Sequence, residues 1–457
     1  MADDGADSAR TAEEVTTMNA RHILVLAGLL AVALLGNADV ASAQNHRNCA
    51  WPIEVSPEGI ANVVLPESFA RDFIIPFDTL YDTMTIKGTY PNVRYFSFVI
   101  YSGRTPTTIP ADLYDAQIAP DPGSFNPFVQ PGTTISRTQA SRQPFGGGNG
   151  TYTIVVSRND VPASGNTIKI ARGEFVWVFL RMYVPSADRS PSGNNLIGGV
   201  PLPTISVAAN GSSQVLPQCS PVNDMQDMTA FLEALYEGVA LQGSEGKPST
   251  DRLWFAPPEK APMRLMPNPH NKYIAMLPGA EYQPGRIIVI HGKAPGTPAT
   301  YDGTPVWQPA RNFQTVDMRY WSLCNNNFAL PIPVVSCTAD LTTSVENGDY
   351  TIVISDDLLR PDWLKPNVNW LPWGDNQYPK LVFFRNMLSS PDFPYSVQKA
   401  IDRGCTFNFN LPYIPASDDT ELAGRCVQGA MGEYYPVAAW CDRTTFLRGG
   451  WRACIKE

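Results

Sequence analysis

Asp78–Tyr101 reads DTLYDTMTIKGTYPNVRYFSFVIY, and this stretch decides the fold. Thr, Ile, Tyr, Phe and Val alternate along it, with Gly88 and Pro91 interrupting. Alternation of β-branched and aromatic residues over this length is strand, and the Gly/Pro break is a turn. Working outward, Thr151–Ser157 (TYTIVVS) and Phe175–Val184 (FVWVFLRMYV) are further β-branched and aromatic runs of strand length.

The second half of the chain reuses these phrases in the same order. Arg286–Pro295 parallels Met84–Pro91, with Gly292 matching Gly88, and Met318–Ser322 parallels Val93–Ser97. Asp349–Ser355 parallels Thr151–Ser157, and Leu381–Arg385 parallels Trp177–Arg181. A period of roughly 200 residues is too long for a solenoid or propeller unit, so the repeat means two similar domains. Many short strands between Pro and Gly turns make each an all-β sandwich or jelly roll.

The spacing of Met225, Met228, Phe231, Leu232 and Leu235 predicts one helix over Asp224–Glu237, capped by Asn223 and ended by Gly238. The organisation read from the chain is a signal peptide over 1–43 and a first sandwich over 44–222. A helix and Pro/Gly-rich connector follow over 223–272, then a second sandwich over 273–390. A cysteine-rich segment over 391–457 is expected to staple itself around the second domain.

Composition bounds the class. The 42 Pro and 34 Gly are about a sixth of the 457 residues, below the level of low-complexity disorder, and show no collagen period. A net charge of -9 argues against a nucleic-acid-backbone binder, which needs clustered Lys and Arg. Arg21, the apolar run Ile23–Leu35 and Ala41-Ser42-Ala43 form a secretory signal with cleavage expected after Ala43. The acidic Met1–Thr17 is unusual ahead of such a signal and points to Met18 as an alternative start. That run is short for a spanning helix, so no transmembrane span is expected in the mature chain, which is read as secreted or periplasmic. Cys49, Cys219, Cys324, Cys337, Cys405, Cys426, Cys441 and Cys454 are an even set without C-x-x-C, which in an exported chain reads as disulfides. Position favours a Cys49/Cys219 bracket and a Cys324/Cys337 staple, while the full connectivity stays open.

Chemistry-bearing residues are few. His270 and His291 are the only histidines in the body, too few for a three-His zinc site, and neither H-E-x-x-H nor G-x-S-x-G occurs. No Gly-rich phosphate loop is present, so no cofactor and no metal is implied. Asp78, Asp82 and His291 are the weak catalytic candidates; Asp78 and Asp82 open an acidic series with Asp112, Asp115 and Asp121. Arg181 and Arg385 each interrupt an apolar strand at matching places in the two repeats, and a buried guanidinium needs a partner. They read as structural ion pairs or as an anion pocket, and Arg94 and Arg319 repeat in the same way. Trp363, Trp370 and Trp373 lie in a Pro-rich loop with nearby amides and carboxylates, a set that suits sugar faces or amphiphiles.

Pro76–Tyr81 followed by Arg94-Tyr95-Phe96-Ser97 resembles an exported bacterial family of unknown function with P-x-x-D-T-L-Y and R-Y-x-S motifs in paired β-sandwich domains. Phe179–Pro185, Gly199–Pro203, Met318–Cys324 and Asn369–Gly374 extend the resemblance over most of the mature chain. It implies export and paired sandwiches, and no reaction. The leading expectation is therefore binding of an extracellular or envelope ligand, a carbohydrate or small amphiphile. A carboxylate-dependent enzyme acting on a polysaccharide or other small substrate is the first alternative, and a structural envelope protein the second.

Overall fold

The computed structural model describes residues 49–57, 61–129, 150–159, 165–185, 196–219, 231–232, 242–243, 251–260, 265–279, 282–299, 305–309, 315–408, 413–414 and 420–456. All of them belong to one compact unit. The expected signal lies outside the described residues, as does the expected helix over 224–237 apart from Phe231 and Leu232, which are helical.

The first half carries β1 (Ile53–Val55), β2 (Ala70–Phe77), β3 (Thr83–Thr89), β4 (Val93–Ser102), β5 (Ala111–Tyr114) and β6 (Thr151–Ser157). It continues with β7 (Thr167–Lys169), β8 (Val176–Pro185), β9 (Leu196–Ile197), β10 (Val200–Pro201), β11 (Thr204–Ala209) and β12 (Ser212–Val215). Two five-stranded sheets result, ordered β1-β2-β8-β4-β5 and β12-β11-β3-β6-β7. The second half carries β13 (Gln242–Gly243), β14 (Arg252–Leu253), β15 (Asn271–Met276), β16 (Arg286–Lys293), β17 (Met318–Asn327) and β18 (Val334–Ala339). Then come β19 (Asp349–Ser355), β20 (Asn369–Pro372), β21 (Lys380–Ser389), β22 (Tyr413–Ile414) and β23 (Val437–Asp442). Its sheets run β15-β21-β17-β18 and β14-β23-β16-β19-β20.

The two halves repeat each other strand for strand. β2-β8-β4-β5 corresponds to β15-β21-β17-β18, and β12-β11-β3-β6-β7 to β14-β23-β16-β19-β20. Both copies include one parallel pair, β6 with β7 and β19 with β20. The correspondence reaches single residues. Gly88 pairs with Tyr152 and Gly292 with Tyr350, and in each copy a Cβ on the glycine would strike the tyrosine hydroxyl. Val184 and Leu388, three residues after the matched arginines, both have positive φ, 49° and 46°. The fold is thus all-β with two tandem related sandwiches.

Each sandwich closes on its own core. Phe96, Phe98, Ile100, Val178 and Leu180 face Ile86, Tyr152, Ile154, Ile205 and Val207 in the first. Trp321, Leu323, Val382 and Phe384 face Ile288, Ile290, Ile352 and Trp440 in the second. The strand β23 comes from the cysteine-rich tail. That segment therefore does more than wrap the second domain: it fills the sheet position that β11 fills in the first.

Four disulfides join Cys49 to Cys219, Cys324 to Cys337, Cys405 to Cys426 and Cys441 to Cys454. Among the described residues no helix is long and apolar enough to cross a membrane.

Candidate functional site

β4 and β8 are buried along their whole length, and β17 and β21 along most of theirs. That is why they read as continuous apolar runs rather than alternating ones. Their inner residues fill the sandwich cores, and their outer faces meet across a seam. Tyr95, Tyr183 and Val184 from the first half pack there with Tyr320, Ala339 and Met387 from the second.

Two segments strap the seam together. Residues 61–68, ahead of β2, hydrogen-bond the second half: Val64 N donates to Pro331 O and Leu65 N to Ile332 O, both at 2.9 Å. Asn62 exchanges hydrogen bonds with the Val334 backbone. Residues 265–270, ahead of β15, reach the other way, where the Tyr101 hydroxyl donates to Met266 O at 3.0 Å and Pro267 O at 2.9 Å. Leu65 and Met266 hold equivalent places in the two straps and both have positive φ, 57° and 45°. Such backbone costs energy unless its surroundings enforce it. Here it serves a contact: each turns its carbonyl onto an arginine of the opposite half.

Those arginines are Arg181 and Arg385. In the first half Arg181 stands opposite Asp72 on β2 and Ser97 on β4. Its Nη1 pairs with Asp72, and its Nη2 donates to the Tyr101 hydroxyl (2.8 Å) and Met266 O (2.7 Å). In the second half Arg385 stands opposite Tyr273 on β15 and Ser322 on β17. Its Nη1 lies 3.2 Å from Glu67 and 2.7 Å from Cys324 Sγ, and its Nη2 donates to Leu65 O at 3.1 Å. The Ser322 hydroxyl also donates to Glu67. Burial pushes the Asp72 and Glu67 carboxyls up, and the facing guanidinium opposes that in each case. Both arginines end above their ordinary value: burial opposes their charge, and Asp72 and Glu67 more than restore it.

A second set of arginines crosses the seam reciprocally. Arg94 of β4 pairs with Asp340 just after β18, and Arg319 of β17 pairs with Asp115 just after β5 at 3.0 Å. The two arginines are equivalent in the repeat, and so are the two aspartates. At the rim, His270 Nε2 lies 2.9 Å from Asp112, and His270 Nδ1 lies 2.7 Å from the Tyr95 hydroxyl.

Between the straps lies a cavity of ≈ 100 Å³ whose wall includes both Arg181 and Arg385 with Asp72, Glu67 and Asn268. Val63, Leu277, Leu381 and Phe383 supply apolar wall. Several buried polar atoms of these residues have no hydrogen-bond partner: Asp72 Oδ1, Glu67 Oε1, Arg181 Nε and Asn268 Nδ2. Such atoms are rare in folded proteins and mark a place where structure and stability are not aligned.

The other expected site residues do not meet there. Asp78 caps a turn, accepting from the Thr79 hydroxyl and Leu80 N, and Asp82 accepts from Asn210 N. His291 lies on β16 with its ring stacked on Trp451 at 3.7 Å and its Nδ1 3.1 Å from the Thr351 hydroxyl. Burial lowers its pKa, against the pull of Asp349. The three tryptophans separate. Trp373 is in the sandwich core, whereas Trp363 and Trp370 pack on the opposite, outer face of that sheet. Glu67 lies within 4.8 Å of the Cys324 and Cys337 sulfurs, but these are joined as a disulfide and offer no thiolate.

A second, open cleft of ≈ 1180 Å³ holds Tyr114, Trp307, Asp317, Asp392, Tyr395 and Tyr434. The Tyr395 and Tyr434 rings stack at 5.4 Å and 19°. Sequence reading missed Asp72, Glu67, Asn268 and the two straps. Asp72 carried a usable signal, a carboxylate inside the strand phrase ARDFIIPF; Glu67 and Asn268 carried none.

No protein-family model matches the chain, and no curated protein sequence does. Among solved structures it is similar to an uncharacterized protein from Burkholderia cenocepacia, at 14% identity and a TM-score of 0.44, over 76% of this chain and 80% of that one. A protein from Vibrio parahaemolyticus matches at 12% identity and a TM-score of 0.36, over 77% of this chain and 90% of that one.

Proposed function

We propose that the chain is an exported binding protein that holds a small amphiphile in the seam between its two sandwiches. The observation that carries this reading is the meeting of Arg181 and Arg385 in the wall of one cavity, beside buried polar atoms without partners. The apolar wall of Val63, Leu277, Leu381 and Phe383 suits a short hydrocarbon tail. A dry cavity of about 150 Å³ takes benzene, so this one has room for about four carbon atoms. Four disulfides fit an oxidising compartment.

Saturation-transfer NMR with 1-propanol, whose four heavy atoms match that room, tests the reading. Transfer to the propanol methyl is expected with the wild-type chain. It should be lost in Ala275→Leu, which fills the cavity wall, while the melting profile is retained. Equal transfer in both proteins removes the seam from consideration. Sugar binding in the open cleft is the second reading, favoured by the Tyr395–Tyr434 stack beside Asp317 and Asp392.

A further inference from the structure

The open cleft carries a preformed aromatic platform. Tyr395 is 43% exposed, and its ring stacks on Tyr434. Tyr434 is held in turn: the buried Phe393 meets it edge-on at 4.9 Å, and the Lys293 ammonium lies 5.3 Å from its ring centre. The Tyr395 ring is thus fixed on one side and open to solvent on the other. Trp307 shares the wall and is also partly exposed. Such rings offer an apolar face with a polar tip, which suits the C–H face and hydroxyl edge of a pyranose.

Around this platform the charge is one-sided. Asp317 and Asp392 both line the cleft. Asp317 accepts from Gly296 N at 2.7 Å and from the Thr315 hydroxyl at 3.2 Å, which fixes its carboxylate in place. Burial pushes the Tyr434 hydroxyl up, Lys293 opposes this and Asp317 adds to it, so Asp317 stands near the stack. Asp392 is exposed on the turn that carries Phe393 and Tyr395. Among the described residues neither carboxylate makes an ion pair. Arg319, the cation of this wall, is spent on Asp115 at 3.0 Å, and Lys293 on Glu433 at 2.5 Å. A cleft lined by charge of one sign concentrates ligands of the other.

We infer that the open cleft selects a cationic oligosaccharide, a chain of pyranoses bearing protonated amino groups, over neutral or acidic chains of the same length. A ring of the chain covers Tyr395, and its ammonium groups answer Asp317 and Asp392. This inference rests on the second reading above and adds the charge of the sugar, which stacking alone does not determine.

The test is isothermal titration calorimetry on the full chain at pH 6 in low salt. The probes are a glucosamine tetramer, cellotetraose and a galacturonate tetramer, each against wild type, Tyr395→Ala and Asp392→Asn. The glucosamine tetramer is expected to bind at least fivefold tighter than cellotetraose, with the galacturonate weakest. Tyr395→Ala should weaken binding of both favoured sugars at least fivefold. Asp392→Asn, an isosteric change at an exposed position, should at least halve the preference for the amino sugar. Added 0.5 M NaCl should do the same, since exposed charges are screened. If cellotetraose or the galacturonate binds as tightly as the glucosamine tetramer and Tyr395→Ala abolishes that binding, the charge inference is overturned while the cleft remains a sugar site. A preference unmoved by both Asp392→Asn and salt overturns it as well. If no sugar binds, if Tyr395→Ala binds as wild type does, or if a proline- and arginine-rich decapeptide binds in place of the sugars, the sugar reading of the cleft fails and the inference with it.

Discussion

Arg181 and Arg385 occupy the same place in two copies of one strand, yet they find their acids in different ways. Arg181 takes Asp72 from the neighbouring strand of its own sheet. At the matching position the second sandwich has Tyr273, and Arg385 takes Glu67 from a strap that belongs to the other half. Asn268 stands in the second strap where Glu67 stands in the first. One carboxylate has in effect moved from strand to strap. The move turns an ion pair inside one sandwich into a clasp between two. A duplicated fold can thus keep its cores alike while a few polar positions make the interface unlike on its two sides.

The largest test of this contrast is removal of each arginine. Arg181→Ala and Arg385→Ala each strand a buried carboxylate, so each should cost ~3–5 kcal/mol in chemical denaturation. Their reach should differ. Hydrogen exchange at Val64 and Leu65, whose amides bond the second half, should rise in Arg385→Ala well beyond its rise in Arg181→Ala. Equal protection of those two amides in both variants would break the clasp interpretation.

A smaller difference is expected from the disulfides. The first sandwich is closed by Cys49–Cys219 across 170 residues, whereas Cys441–Cys454 in the second spans 13. Chain-entropy arithmetic makes the long closure worth about 2 kcal/mol more than the short one. Replacing each pair by serines and comparing denaturation midpoints measures this. A short-loop variant that loses as much as the long-loop one shows that the tail disulfide holds β23 in its sheet as well as closing a loop.

The smallest effect is a pH dependence present in one copy and absent from the other. His291 corresponds to Lys87, which lies exposed, while His291 is half-buried under Trp451. Its folded pKa is lowered by burial from 6.5. Below pH 6.5 the unfolded chain takes up this proton before the folded one does, so stability falls as pH drops through that window and is unaffected above it. His291→Phe should lose less stability than wild type between pH 7.5 and pH 5, read from urea midpoints. Lys87→Ala, which removes no imidazole, should track wild type. A His291→Phe profile parallel to wild type would show that the imidazole titrates freely in the folded chain.

Much of the architecture was legible because it rests on local patterns. Thr83–Thr89 and Thr151–Ser157 alternate because one face of their sheet is more exposed than the other, and Val93–Ser102 and Val176–Pro185 run apolar because both faces are covered. The repeated phrases align in the structure at the register read from them, Gly88 with Gly292 and Arg181 with Arg385. Trp363, Trp370 and Trp373 were misleading for the same local reason. Crowded in sequence, they fall on opposite faces of a sheet, because side chains along a strand alternate and β20 ends between them.

The amino-acid sequence by itself determined the strands, their duplication, and the need of each strand arginine for a partner, since these follow from periodicity and from the cost of burying a charge. Only the tertiary structure decided which partner answers and what the pairs enclose. Leu65 stands 320 residues from Arg385, and Asp340 stands 246 from Arg94. Contacts of that separation depend on how two folded sandwiches meet, and no local pattern in either segment encodes the meeting.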